Sequence, residues 1–298
     1  MAKKIKKNIV VVTSEEAKSV ATNEFINAAC GLILVEVKYS NPNGDPDCGG
    51  EPRLTPAGDI GLMSDVSNKR KFRNLILDKE GPVYQEISKE FNLDVNNFDI
   101  FEARDRDFKK LAKEKTEDIL NRHWDCRVFG TTLLSKEGSH VNSGAVQFGL
   151  GTSVAPVKLL SFTHTKCAGA EAGKNQGMAP KGYKVVEHGL YCIPFYINPT
   201  SARKSRCTQT DIDVFKRLLP FIFTHSISRS RTEVSIHKAW FIDLGSPTGR
   251  FNPVAIVNSL YPTKKDPNTP SKSIADYDIP SDIPEEAKKR GLVLRNLV

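Results

Sequence analysis

The chain has no apolar run of membrane-spanning length, no C-x-x-C pair among its six cysteines and no internal repeat. A spanning helix needs about 20 consecutive apolar residues, so this reading contains none. Cys30, Cys48, Cys126, Cys167, Cys192 and Cys207 are scattered along the chain and read as reduced thiols, not as a disulfide framework. His164 and Cys167 are spaced like half a zinc site, but no second pair follows at a matching interval, so no metal is expected. A Ser-His-Asp order, H-E-x-x-H and G-x-x-x-x-G-K-[ST] are all missing. Hydrolase and nucleoside-triphosphatase readings therefore lack support, and no cofactor is expected. The start, MAKKIKKNIVVVTSEE, is basic, but its apolar run ends after four residues. It carries neither a signal-peptide core nor a small-residue cleavage site, which leads to the expectation of a cytoplasmic protein.

What is present is ordinary globular material with a basic bias. At 298 residues, 39% hydrophobic and 26% charged, the chain can bury a large core as one elaborated domain or two smaller ones. Lys and Arg outnumber Asp and Glu by 43 to 35, a formal charge of +8 that favours anionic partners. Charge of this kind bears on association, not on fold.

Gly31 to Lys38 is rich in aliphatic and β-branched residues and reads as a buried strand. The segment from Asn41 to Arg73 follows, beginning as a loop with four prolines and an Asn-Gly turn. It ends as a helix capped by Ser64 or Asp65, whose Lys69, Arg70, Lys71 and Arg73 crowd two turns. Lys79-Glu80-Gly81-Pro82 ends that helix. Residues 83–125 read as a charged, mostly helical insert. Cys126–Thr131 and Gly144–Gly151 read as the next two strands. From Thr163 to Lys184 the composition turns small, polar and basic, which fits a protruding hairpin or a mobile loop. Val185–Asn198 and Glu233–Asp243 read as long strands, with an amphipathic helix from Asp211 to Leu219 behind Thr210 as its cap. The tail from Pro262 reads as an extended wrap or a flexible segment, with one short helix between Ile283 and Val298. The N-terminal arm offers a short strand at Ile9–Val12. The outline is α+β and compatible with a split βαβ sheet.

Four motifs occur in order: NPNGDPD, the SDVSNKRKFRN helix, CRVFG and GAVQFGLGTSVAPV; KGYKVVEHGLYCIPFYIN follows them. Over about residues 30–245 they make the chain similar to the backbone subunit of type I CRISPR Cascade surveillance complexes, particularly the I-B and I-C branches. The resemblance implies an RNA-recognition-motif-like (ferredoxin-like) palm over residues 25–261. It implies a helical finger insertion at about 83–125 and a β-hairpin or loop thumb at about 160–185. An arm (1–24) and a tail (262–298) flank the palm. It further implies a non-catalytic, crRNA-binding subunit in antiviral defence, with copies stacked head to tail along the guide RNA. Base pairing of the guide to target DNA, not the protein, would then read sequence, a division of labour known from another effector. Other Cascade subunits and a recruited helicase-nuclease are the further partners implied.

Candidate RNA contacts follow from residue chemistry and from the resemblance together. Lys69 and Arg73 lie four apart and share a helix face, so that with Arg70 they suit neighbouring phosphates; the alternative is a solvated basic face. Asn43, Arg53 and Ser64 flank them with donors for phosphate or 2′-OH oxygens, although Asn43-Gly44 is equally a plain turn. Gln147 and Ser153 stand where the resemblance places a second RNA-contacting strand, and Gly149 and Gly151 equally serve only to shape it. His164 and Lys166 decorate the thumb candidate, where Met178 is an apolar wedge for prising bases apart. Trp124, Phe195, Tyr196, Trp240 and Phe241 read as core.

Asp45 and Asp47 support the competing reading, a metal-dependent endoribonuclease of the same architecture. Related subunits of type III complexes cleave RNA through a loop aspartate. A calcium loop is excluded, since Cys48 and Leu54 occupy positions that need Gly and Glu. A third reading is a basic RNA-recognition-motif-like protein unrelated to CRISPR.

Overall fold

Strand β1 (Ala29–Ser40) is the axis on which the molecule is built. The computed structural model describes residues 25–134, 136, 138–165, 180–249 and 251–298. The expected strand at Ile9–Val12 lies outside them, as do Lys166 and Met178.

After β1 come two short paired strands, β2 (Gly44–Asp45) and β3 (Glu51–Pro52), then β4 (Leu62–Met63) and helix α1 (Asp65–Leu77). Helices α2 (Pro82–Phe91), α3 (Phe108–Lys113), α4 (Thr116–Arg122) and α5 (Trp124–Val128) make up the insert, and the β5 (Gly130–Leu134)–β6 (Ser139–Ser143) hairpin closes it. Strands β7 (Val146–Phe148), β8 (Gly151–Ser153), β9 (Leu159–Thr165) and β10 (Pro180–Ile197) return the chain to the main sheet. Helices α6 (Pro199–Ser205), α7 (Gln209–Leu218) and α8 (Phe221–Thr224) lead into β11 (Glu233–Asp243). The last part holds α9 (Pro253–Asn258), the β12 (Thr263–Lys264)–β13 (Tyr277–Asp278) pair, α10 (Glu285–Lys289) and β14 (Leu294–Asn296).

The main sheet runs β14-β11-β1-β10-β8-β4, with β7 and β9 also paired to β10, and every pairing is antiparallel. Alternate residues of a strand face opposite sides, and β1 buries both of its sides. Ile33, Val35 and Val37 join the core beneath α1, α2, α7 and α8, where Phe72, Ile76, Phe215 and Phe223 meet them. Cys30, Leu32 and Leu34 join a second core built with Trp240, Val257, Leu260, Tyr277 and Ile283. Two-sided burial explains why this strand reads as a continuous apolar run and not as an alternation. Gly31 is required by close approach: a Cβ there would sit 2.2 Å from the Phe195 ring and 2.3 Å from the Trp240 carbonyl oxygen. The rings of Phe72 and Phe215 stack at 5.0 Å, and Phe129, Phe148 and Phe195 complete the cluster.

Three sequence expectations shift. Cys126–Val128 belongs to helix α5, and strand character starts only at Gly130. The cause is tertiary: Arg127 pairs with the fully buried Asp211 at 2.8 Å and donates to the carbonyls of Leu120, Asn121 and Asn97, contacts that require a helical turn. The cap of α7 is Thr208, not Thr210, because Asp211 closes a reciprocal capping box with it. The expected strand at Gly144–Gly151 splits into β7 and β8 around Gly149-Leu150. The tail takes the wrapping alternative: it contributes β14 to the sheet edge and Tyr277, Ile283 and Leu292 to the second core, and it carries the short helix α10.

Candidate nucleic-acid interface

The loop between β1 and α1 is tied down by side chains and not left to solvent. Asn41 Nδ2 donates to the Gly50 carbonyl at 2.7 Å, and Asn43 Oδ1 accepts the Ser64 N–H at 2.7 Å. Ser64 caps α1 by accepting the Ser67 N–H at 3.2 Å. The Arg53 N–H donates to the Asn43 carbonyl, and the Arg53 guanidinium lies 3.5 Å from the Asp45 carboxylate. Ser153 braces the far end, accepting the Gly61 N–H at 2.9 Å and donating to the Ala155 carbonyl at 2.7 Å. Asn43, Arg53, Ser64 and Ser153 are thus brought to one hydrogen-bonded loop. Asn43 and Ser153 are buried and spend their side-chain polar atoms inside the protein.

Helix α1 distributes its cations over different sides. Lys69 pairs with Asp65 one turn back at 3.0 Å, and Arg70 donates to the Glu102 carbonyl at 2.6 Å. Burial, then the neighbouring Arg73 charge, draws the Arg70 pKa below its ordinary value. Arg73 departs from the expected shared face with Lys69. It points inward to Asp125, whose carboxylate is fully buried; the Arg73 Nε–Asp125 Oδ2 distance is 2.8 Å. Asp125 also accepts the N–H groups of Phe101 and Glu102, and this network locks the insert onto α1. Gln147 sits on β7 with its Nε2 on the Gly144 carbonyl, apart from this loop. His164 lies on β9 opposite Lys181 of β10, in the hairpin expected as a thumb.

At the base of that hairpin a cleft of about 480 Å³ opens between the β2–β3 loop, β9, β10 and residues 229–230. The rings of Phe162 and Tyr183 stack at 5.6 Å across the two strands, and the Arg229 guanidinium lies 5.9 Å from the centre of the Tyr183 ring. Lys184 pairs with Glu51 at 2.8 Å on the wall. Asn41 Oδ1 is buried here with no hydrogen-bond partner. A stacked ring pair, a guanidinium group and an unused carbonyl acceptor suit a nucleobase and its phosphate. Sequence reading passed over Phe162, Tyr183 and Arg229. The signal was the run Ser226-Ile227-Ser228-Arg229-Ser230-Arg231, a polar, basic stretch just before a strand.

Asp45 and Asp47 form a turn. The Asp45 carboxylate accepts the Asp47 N–H at 3.1 Å and faces Arg53, which makes it the cap of a 3₁₀ turn at Pro46–Cys48. Among the described residues no group of three or more His, Cys, Asp or Glu side chains is arranged to hold a metal ion, and no helix is long and apolar enough to cross a membrane.

An antiparallel α/β sheet with an aromatic and cationic cleft at the foot of a hairpin has the make-up of a single-stranded nucleic-acid binder. The chain belongs to the Cas7 family: the model for CRISPR-associated protein Cas7 matches residues 27–282, which is most of its length. No curated protein matches significantly. Among solved structures it is similar to a chain of a CRISPR RNA-guided surveillance complex in a pre-nicking state, at 15% identity and a TM-score of 0.46, covering 72% of this chain and 78% of that one. A second CRISPR RNA-guided surveillance complex gives 14% and 0.44, covering 72% and 69%. The type III-B Cmr-beta complex bound to cognate target RNA gives 12% and 0.40, covering 73% and 61%. Membership in the family rests on the match across residues 27–282.

Proposed function

We propose that this Cas7-family chain is the non-catalytic crRNA-binding backbone subunit of a type I CRISPR Cascade surveillance complex, of the I-B or I-C kind. Family membership across residues 27–282 carries the proposal. Copies stack head to tail along the guide and present it for pairing with target DNA, beside other Cascade subunits and a recruited helicase-nuclease. The work is done in the cytoplasm. The antiparallel sheet serves as an RNA-recognition-motif-like palm (25–261), the helical insert as the finger (about 83–125) and the β9–β10 hairpin as the thumb (about 160–185). In this reading Arg53, Lys69 and Arg70 meet phosphates, while Asn43, Ser64 and Ser153 hold the loop that presents them. Gln147, His164, Lys166 and Met178 contact the guide from the strand and thumb side.

Nuclease digestion of the protein assembled on a long guide-like RNA tests the reading. A regular ladder of protected and cut positions is the expected result, because tandem copies each leave one nucleotide exposed. An irregular digest with all partner subunits present would overturn it.

A further inference from the structure

On the side of α1 facing away from Lys69, a second cleft of about 360 Å³ lies between α1, α2 and the stretch from α8 to β11. A 3.6-residue repeat puts Lys71 roughly 200° around the helix from Lys69, and Ser67, Asn74 and Asp78 line up with it. The Lys71 ammonium is buried, with 6% of the residue exposed, beneath the Phe223 ring at 5.0 Å. Its hydrogen-bond acceptors are the Ser67 carbonyl at 3.2 Å and the Ser67 hydroxyl at 3.0 Å, both neutral. Arg231 lines the same cleft, and among the described residues its side chain makes one hydrogen bond, from Nε to the Asn41 carbonyl at 3.3 Å. Neither cation forms an ion pair with a carboxylate among the described residues.

Two cations brought together in a half-buried cleft, neither paired with a carboxylate, repel each other and lose hydration, so the arrangement costs stability. Burial and the Arg231 charge push the Lys71 pKa down to about 7, and burial lowers that of Arg231. The other charged or titratable groups lining the cleft are His225, Asp78 and Tyr84. The Tyr84 hydroxyl is buried and lacks a partner at hydrogen-bond geometry, with Ser88 alongside it. Lys79 lies behind the Tyr84 ring, its ammonium on the Phe98 carbonyl. A tetrahedral oxyanion would supply the missing charge and the missing acceptors together.

We propose that the Lys71–Arg231 cleft is a phosphate pocket, and that it seats one backbone phosphate of the bound RNA; the Arg231–Asn41 hydrogen bond links it to the cleft at the hairpin base, which Asn41 lines. The RNA half of this proposal rests on the proposed function; the pocket does not. The test uses the full-length protein as wild type, Lys71→Met and Arg231→Gln, with Arg231→Gln as the control against misfolding because Arg231 is only half-buried. Inorganic phosphate, added at constant ionic strength, should raise the wild-type melting temperature above that in chloride. The two variants should lose that increment. RNA affinity measured against salt should fall about tenfold in each variant at physiological salt, with the slope smaller by about 0.7 for the single lost contact on a single strand. A phosphate increment that survives in both variants would overturn the pocket. Loss of the increment with unchanged RNA slopes would show an adventitious ion only and overturn the RNA assignment. Absence of RNA binding by the wild type, with the phosphate increment intact, would sink the proposed function and leave the pocket standing.

Discussion

Replacing Arg73 by Met asks whether a basic residue on helix α1 is a ligand group or a structural one. Methionine keeps most of the stem volume but removes the 2.8 Å bond from Nε to the Asp125 carboxylate, which has no solvent exposure. Breaking one side of a buried pair typically costs about 3–5 kcal/mol, because the remaining charge stays buried without its partner. Asp125 keeps the Phe101 and Glu102 N–H groups, at 2.8 and 3.2 Å, so the lower end, about 3 kcal/mol, is the better expectation. For a chain of this size that corresponds to a fall in melting temperature on the order of 10 °C. Thermal unfolding gives the first readout, and RNA affinity at several salt concentrations, measured well below the melting point, gives the second. The salt slope should be that of the wild type, since a guanidinium held inside the protein releases no counterions from RNA. A melting temperature within a degree of wild type, with a slope smaller by about 0.7, would refute the assignment and return Arg73 to the surface beside Lys69.

Asp45→Asn combined with Asp47→Asn should leave RNA binding intact and reveal no cleavage to lose; metal-dependent cleavage by the wild type, abolished in this variant, would establish the nuclease reading. Lys71→Met should alter the pH dependence of stability. Between pH 7 and about 10.5 the unfolded chain holds a Lys71 proton that the folded chain has released. Wild-type stability should therefore gain on the variant as pH rises from 7 to 10, by up to about 4 kcal/mol, and denaturant titrations giving a constant difference would refute it. Thr208→Ala removes the α7 capping box and should cost about 1 kcal/mol in the same titration, whereas Thr210→Ala should cost much less. Asp211→Asn weakens the doubly bonded Arg127 pair and should cost several kcal/mol, distinguishing this fully buried group from the exposed Arg217–Glu90 pair, where loss should be below about 1 kcal/mol.

Sequence alone disclosed much of the sheet. β1, the later part of β10 and the Ala239–Ile242 end of β11 are apolar runs, and a buried strand cannot disguise that composition. The cap at Ser64 was equally legible, since caps are local chemistry, whereas α1 already ends at Leu77 and Gly81-Pro82 open α2. What stayed hidden was pairing between distant residues. Nothing near Arg73 announces Asp125, 52 residues away, and nothing near Arg127 announces Asp211, 84 away. Cations on one helix look alike in a string of letters. In space, Lys69 holds Asp65, Arg70 a carbonyl, Arg73 a buried carboxylate, and Lys71 only the Ser67 oxygens. Phe162 and Tyr183 became a stacked pair only once β9 and β10 were in register.

The ends of the main sheet bear on how this chain would meet a neighbouring strand. The strand order terminates in β14, three residues long, at one end and β4, two residues long, at the other. Open edges of that length offer few free backbone groups to a neighbouring strand, and runaway edge-to-edge zippering is the usual hazard of β-rich chains packed at high local density. In the proposed array of copies on one guide, these two short terminal strands give the sheet little means of growing from one copy into the next, which fits an array whose length is set by its template.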